Sequence, residues 1–326
     1  MDFPPRGTSR GGRGEDLEIG FEPLRAPREQ APARARVRRR GGVRPPRRRR
    51  VRDDVPVVRA PGGSETLARV LSVVPWIVFV VIVIAVGGLL FAAAMAAFAC
   101  VGLAELFRIA SDAHPFRLAA FATAIAMVGA AYYGTQYQMV MIGAAAFPAM
   151  FIGAASRRDR AGVTTSLAFT TLGIAWITIP FAHAVLLREL PLHGGALLID
   201  VLVGTFFTDT CAYFGGRLFG RTPMAPRLSP RKTVEGLAIG IVGGTMAFWF
   251  AGLYQDWLSG IDALVIGFCV AVAAPVGDLF ESMVKRDLGV KDTGRIFGPH
   301  GGLLDRLDAV MFTIVVGYYL ARAFVY

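Results

Sequence analysis

The sequence predicts an all-α, polytopic integral membrane protein with about nine transmembrane helices and a disordered, basic N-terminal tail. Three observations carry this. Apolar residues make up 54% of the 326 positions, above the range usual for soluble domains. Mean hydropathy is +0.50. Several runs of roughly 20 residues hold almost no charge, which is the length that crosses a hydrocarbon core. No second globular domain is visible, so the chain divides into a tail over 1–62 and one membrane domain over 63–326.

The tail is set apart by charge. Residues 1–60 contain seventeen Arg and no Lys against eight Asp or Glu, a net of +9 within a chain total of +11. Its densest part is ARARVRRRGGVRPPRRRRVR, Ala33 to Arg52. Arginine, proline and glycine with few large apolar residues cannot bury enough surface to offset chain entropy, so a solvated arm is expected. Anionic lipid is a natural contact for it. Nucleic acid is not, because no aromatic interleaving or binding motif accompanies the arginines. The first apolar run starts near Leu67, too late for a secretory signal peptide.

Nine spans follow from apolar length: 67–87, 89–107, 117–134, 137–154, 163–187, 194–215, 234–254, 261–283 and 304–324. The first two are divided only by Gly87-Gly88. Counting crossings from a cytoplasmic tail, the turns on the tail's side carry Arg108 and Arg117, then Arg157, Arg158 and Arg160, then Arg217 through Lys232, then Lys285 to Arg295. The opposite loops, GG, TQYQ, RELPLHGG and YQDWLSG, hold only Arg188. This is the positive-inside pattern. It implies an odd span count, with the N-terminus and both long polar loops, 216–233 and 284–303, on the cytoplasmic face of the cell membrane. Cys100, Cys211 and Cys269 show no metal or disulfide spacing and read as small buried apolar residues.

Charges inside spans are costly and mark functional sites. Asp278 follows an uncharged run from Ala263 to Val276. On a helix, Asp278, Glu281, Ser282 and Lys285 share one face. Asp305 and Asp308, three apart at the start of the last span, share another. They suit either a helix N-terminus, which favours acids, or Mg²⁺, which takes one or two carboxylates together with substrate phosphates. Lys285, Arg286, Lys291, Arg295 and Arg306 interleave with Asp287, Asp292, Asp305 and Asp308. Anchoring to the cytoplasmic side explains the cations but not the acids. His300 precedes Gly301-Gly302, a pair that suits a close backbone approach to phosphate or a sharp turn into the last helix. In FFTDTCAYFGGRLFGRTPMAPRLSPRKTVEG, Phe206 to Gly236, Asp209 is again an acid within a span. Arg217, Arg221, Arg227, Arg231 and Lys232 then form a basic loop with Ser229 and Thr233. No Walker motif and no GxGxxG after a strand occurs. The residues alone point to a membrane site open to the cytoplasm, with acids for a divalent metal and cations for phosphates.

The run from Ser282 to Arg286, Lys291-Asp292, Gly294, Phe297, His300-Gly301-Gly302 and Asp305 to Asp308 resembles the signature of phosphatidate cytidylyltransferases, the CDP-diacylglycerol synthases. The blocks Gly277 to Ser282, Asp209 to Gly216 and Ser229 to Gly236 are also similar to that family. The resemblance is strong from about residue 200 onward, which makes 200–326 the expected catalytic part. It implies transfer of CMP from CTP to phosphatidic acid, giving CDP-diacylglycerol and pyrophosphate in phospholipid biosynthesis. By the same resemblance Asp278 and Asp305 hold Mg²⁺, with a monovalent cation such as K⁺ as a possible companion. Lys285, Lys291 and His300 join them as catalytic residues. Substrate binding falls to Asp209, Ser229, Arg231, Lys232, Thr233, Arg286, Asp292, Gly301, Gly302, Arg306 and Asp308. A homodimer is implied. Arg231 stands where lysine is commoner, Gly298-Pro299 precedes His300 in an unusual order, and the Arg-rich tail lies outside the pattern. A CTP-dependent polyprenol or phytol kinase and an ion-coupled transporter are the alternatives.

Overall fold

A computed structural model describes residues 78–155, 162–294, 296 and 301–326. The Arg-rich tail, Arg157, Arg158, Arg160, Arg295 and His300 lie outside these. Residues 78–86 are helical and form α1. The remaining helices are α2 (Gly88–Ile109), α3 (Arg117–Tyr133), α4 (Gln136–Ala155), α5 (Val163–Gly173), α6 (Ile179–Arg188), α7 (Gly194–Phe219), α8 (Val234–Gly252), α9 (Gly260–Asp287) and α10 (Leu304–Phe324). A π-helical turn, Ile174–Thr178, joins α5 to α6 as one span. The only sheet among the described residues is an antiparallel pair, β1 (Pro223–Ala225) and β2 (Ser229–Thr233).

Seven of these helical segments are long and apolar enough to cross a membrane. The all-α, multi-pass expectation therefore holds, while nine full spans are not shown. Helix α3 has 17 residues, roughly 25 Å at 1.5 Å per residue, and the described residues of α1 are 78–86. The break between the first two spans is where the sequence placed it. Gly87 and Gly88 both have positive φ, 65° and 56°, a backbone region that glycine enters without steric cost. The turn is held from a distance: Arg188 Nε donates to the Ile84 carbonyl (2.7 Å), and Glu189 Oε1 accepts from Gly88 N–H (3.3 Å). The one basic residue of the opposite loops thus satisfies carbonyls that the end of α1 leaves unpaired.

Contacts between loops mark the two ends of the bundle. Arg117 Nη2 reaches the Phe107 carbonyl at one end. Gln136 Nε2 reaches the Tyr319 hydroxyl, and the Tyr326 hydroxyl the Pro191 carbonyl, at the other. Among the described residues, Arg108 reaches the Thr293 carbonyl and Arg286 the Leu228 carbonyl, so the turns after α2, α7 and α9 lie close together. The α5–α6 span is the central one, 78% buried against 44% or less for the others. Around it Phe91, Leu103, Phe107, Ile177 and Phe248 form the core. Helices α7 and α8 meet through small residues, Gly204, Thr208 and Ala212 against Gly240 and Gly244, the packing that membrane helices favour. The three cysteines are half-buried rather than buried.

Candidate functional site

The polar residues converge where the C-terminal ends of α2, α7 and α9 meet the N-terminal ends of α8 and α10. Helix α9 runs to Asp287, past the apolar stretch, because its last turns stabilise themselves. Lys285 pairs with Glu281 one turn back (2.6 Å), and Lys285 and Arg286 suit the negative end of the helix dipole. Gly277 lets α10 approach: a side chain there would overlap the Asp308 carbonyl. Asp278 is thereby set beside α10.

Two lysine–carboxylate centres result. Lys232, at the end of β2, pairs with Asp278. Lys285 pairs with Asp305 (2.9 Å) as well as with Glu281. Asp209 on α7 lies within electrostatic reach of Asp278, Asp308 and Lys232. Asp308 similarly faces Asp278 and Lys285. Glu281 is 1% exposed, and its Oε1 is a buried oxygen without a hydrogen-bond partner. Five carboxylates and two ammoniums from four segments of the chain therefore share one region.

Asp305 does more than the sequence suggested. Its Oδ2 accepts from Gly302 N–H (2.8 Å), Thr293 N–H (2.8 Å) and the Thr293 hydroxyl (2.9 Å), while Oδ1 takes Lys285. Asp305 sits in the first turn of α10, the helix-start position foreseen for it, and there faces the Lys285 ammonium. Gly301 has φ 86°, and a Cβ there would meet Asp305 Oδ2 at 2.7 Å. The first glycine of the pair is thus a sharp turn that delivers an N–H to Asp305.

The basic loop after α7 is an ordered hairpin. Glu235 on α8 accepts from the backbone N–H groups of Arg221 and Thr222 (3.1 Å each), closing the loop at its base. Thr233, foreseen as a substrate contact, N-caps α8 through Gly236 N–H (3.1 Å). Ser229 pairs opposite Ala225 in the hairpin. Arg286 Nε reaches toward the Leu228 carbonyl at 3.5 Å, bridging the two polar loops. Arg231, Lys291, Asp292 and Arg306 are exposed around the site.

Sequence reading passed over Glu105, Arg108 in this role, and Thr293. Glu105 is 3% exposed near the end of α2. It accepts from the backbone N–H groups of Leu303 and Leu304 (3.0 Å each). Arg108 Nη2 donates to the Thr293 carbonyl (2.7 Å). The available signal was a lone acid within an apolar run, LAELF, which the rule on intramembrane charge already flags.

Fold and site together define a multi-pass helical membrane protein whose carboxylates and cations gather at one end of the bundle. Residues 67–324 match the cytidylyltransferase family, and the chain belongs to that family. It is similar to the uncharacterized protein YnbB of Escherichia coli, 39% identical over 153 residues, 45% of this chain and 51% of the relative. It is also similar to the phosphatidate cytidylyltransferases of Helicobacter pylori (45% over 121 residues; 36% and 44%) and Mycobacterium leprae (37% over 144 residues; 44% and 46%). The matches cover about half the length of these relatives.

Proposed function

We propose that this protein is a phosphatidate cytidylyltransferase, with its catalytic part in residues 200–326. A phosphate oxygen of phosphatidic acid attacks the α-phosphorus of CTP. The bond from that phosphorus to the bridging oxygen breaks, and pyrophosphate leaves with the electron pair, giving CDP-diacylglycerol. The observation that carries this reading is the convergence of Asp278, Lys232, Asp305 and Lys285 from separate segments onto one end of a membrane bundle. Relatives that share the sequence carry that name. The geometry suits the chemistry. Phosphoryl transfer needs little covalent help from protein and much positioning and charge neutralisation. Lys232, Lys285, Arg286 and Lys291 can neutralise a triphosphate and a lipid phosphate. The membrane setting brings the lipid phosphate to the end of the helices, where the cations are.

The family resemblance carries Mg²⁺, with Asp278 and Asp305 as the hard oxygen donors that would hold it; here each is paired with an ammonium, and among the described residues no three His, Cys, Asp or Glu side chains are grouped to hold a metal ion. When bound there, Mg²⁺ would neutralise charge on the transferring phosphates. A monovalent cation such as K⁺ is a further occupant by family resemblance, as is a homodimeric state. The positive-inside pattern of the sequence supports a cytoplasmic site and N-terminus, with the cell membrane as the setting. Cytoplasmic CTP would then have direct access.

The test is turnover by the purified full chain in detergent or lipid vesicles. CTP is supplied with phosphatidic acid and a polyprenol side by side, with and without Mg²⁺. CDP-diacylglycerol and pyrophosphate in equal amounts, only with Mg²⁺, are expected. A phosphorylated polyprenol with CDP released instead would establish the kinase alternative.

A further inference from the structure

We propose that Glu105 is a positioning residue of the site, acting on Asp305 through Thr293 and the first amides of α10. It lies 200 residues before Asp305, on a helix from the other half of the chain. All three of its recorded bonds go to one structure. Oε1 takes Leu303 N–H, Oε2 takes Leu304 N–H, and the Thr293 hydroxyl lies 3.3 Å from Oε2. That hydroxyl also lies 2.9 Å from Asp305 Oδ2, so its one proton is shared between two carboxylates. Arg108, one turn further along α2, fixes the Thr293 carbonyl.

The second glycine of the Gly301-Gly302 pair belongs to this device. A side chain at Gly302 or Gly294 would overlap the Glu105 carboxylate. Both positions are therefore occupied against a protein carboxylate, not kept open for a phosphate. Two peptide segments, at 293–294 and 302–304, are clasped on either side of one buried carboxyl group. Asp305, the next residue, takes its other bonds from the same two segments. Displacing Glu105 lets Thr293 and Gly302 move, and Asp305 and its Lys285 partner move with them.

The inference rests on the proposed function only for its activity arm. Glu105→Gln sets a side-chain N–H against one of the two backbone N–H groups, leaving that donor unpaired. Thr293→Val removes only the shared hydroxyl, and Thr293→Ser retains it. Each variant is purified as the full chain. Turnover with CTP and phosphatidic acid is measured together with hydrogen exchange of amides 301–305 and the thermal midpoint. Misplacing a supporting partner typically lowers activity about 10–100-fold. The expected result is that loss in kcat for Glu105→Gln and Thr293→Val, faster exchange at 301–305, and recovery to within about threefold in Thr293→Ser. A Glu105→Gln protein that fails to fold leaves the decision to the Thr293 pair, which disturbs no backbone bond of Glu105. Unchanged exchange at 301–305 in Thr293→Val, or Ser and Val variants alike in kcat, would overturn the proposal. If the unmodified chain makes no CDP-diacylglycerol, the functional reading fails, and the exchange measurements still decide the role of Glu105.

Discussion

Replacing Lys285 by methionine tests whether the site is held by its own ion pairs. The ammonium lies 2.6 Å from Glu281 Oε2 and 2.9 Å from Asp305 Oδ1. At an effective dielectric of about 20, each contact is worth roughly 6 kcal/mol of Coulomb attraction before desolvation is subtracted. The Lys285, Glu281 and Asp305 side chains are only 16%, 1% and 9% exposed. Removing the shared partner of such a buried pair costs about 3–5 kcal/mol net. Methionine keeps the stem's volume, so packing contributes little to the loss. For a chain of this size about 2–4 °C accompanies each kcal/mol, giving a fall of roughly 6–20 °C in the thermal midpoint. Tryptophan fluorescence in detergent can follow it, because Trp176 packs edge-on against Phe280 at 5.1 Å, next to Glu281. Adding Glu281→Gln removes one of the two stranded carboxylates, and at least half the loss should return. A drop below about 2 °C in the single variant, or a double variant no more stable than the single, would refute the account.

Four further outcomes are expected. Asp278→Asn should fold normally, since Lys232 is its one recorded partner, and should abolish turnover. Asp305→Asn should abolish turnover and also speed hydrogen exchange at Thr293 and Gly302, because an amide cannot accept all four of the bonds Asp305 holds. Arg188→Ala should cost about 1.5–3 kcal/mol, read as a thermal midpoint shift, by leaving carbonyls at the end of α1 unpaired, while KM for CTP stays unchanged. Deleting residues 1–60 should preserve turnover in vesicles, measured against the full chain at equal protein.

The parts of the site that were legible are those where charge conflicts with its local surroundings. Asp209, Asp278 and Asp305 stand out because each interrupts or adjoins an apolar run. Glu281 and Lys285 could be paired from their spacing, and they do pair. Lys232 with Asp278 could not be, since 46 positions separate them and no period relates a hairpin to a helix. Thr233 and Gly302 are expected from sequence as substrate contacts, and the structure gives each a partner within the protein. Their residue types suit a phosphate, but a helix cap and a neighbouring carboxylate use the same properties. Glu105 carries the same signal as Asp278, a lone acid in an apolar run, but lies outside the motif-bearing second half of the chain.

Hydropathy and the sign of charge are properties of short segments measured against the bilayer. The sequence alone therefore determined the membrane class, most of the crossings and the break at Gly87-Gly88. Which carboxylate meets which ammonium is settled by how helices pack side by side. There, membrane segments are all similarly apolar, and no local pattern distinguishes one neighbour from another. The clasp of α2 on the start of α10, the Lys232–Asp278 pair and the crowding that demands Gly277 and Gly302 exist only once the tertiary structure brings these segments within a few ångströms of each other.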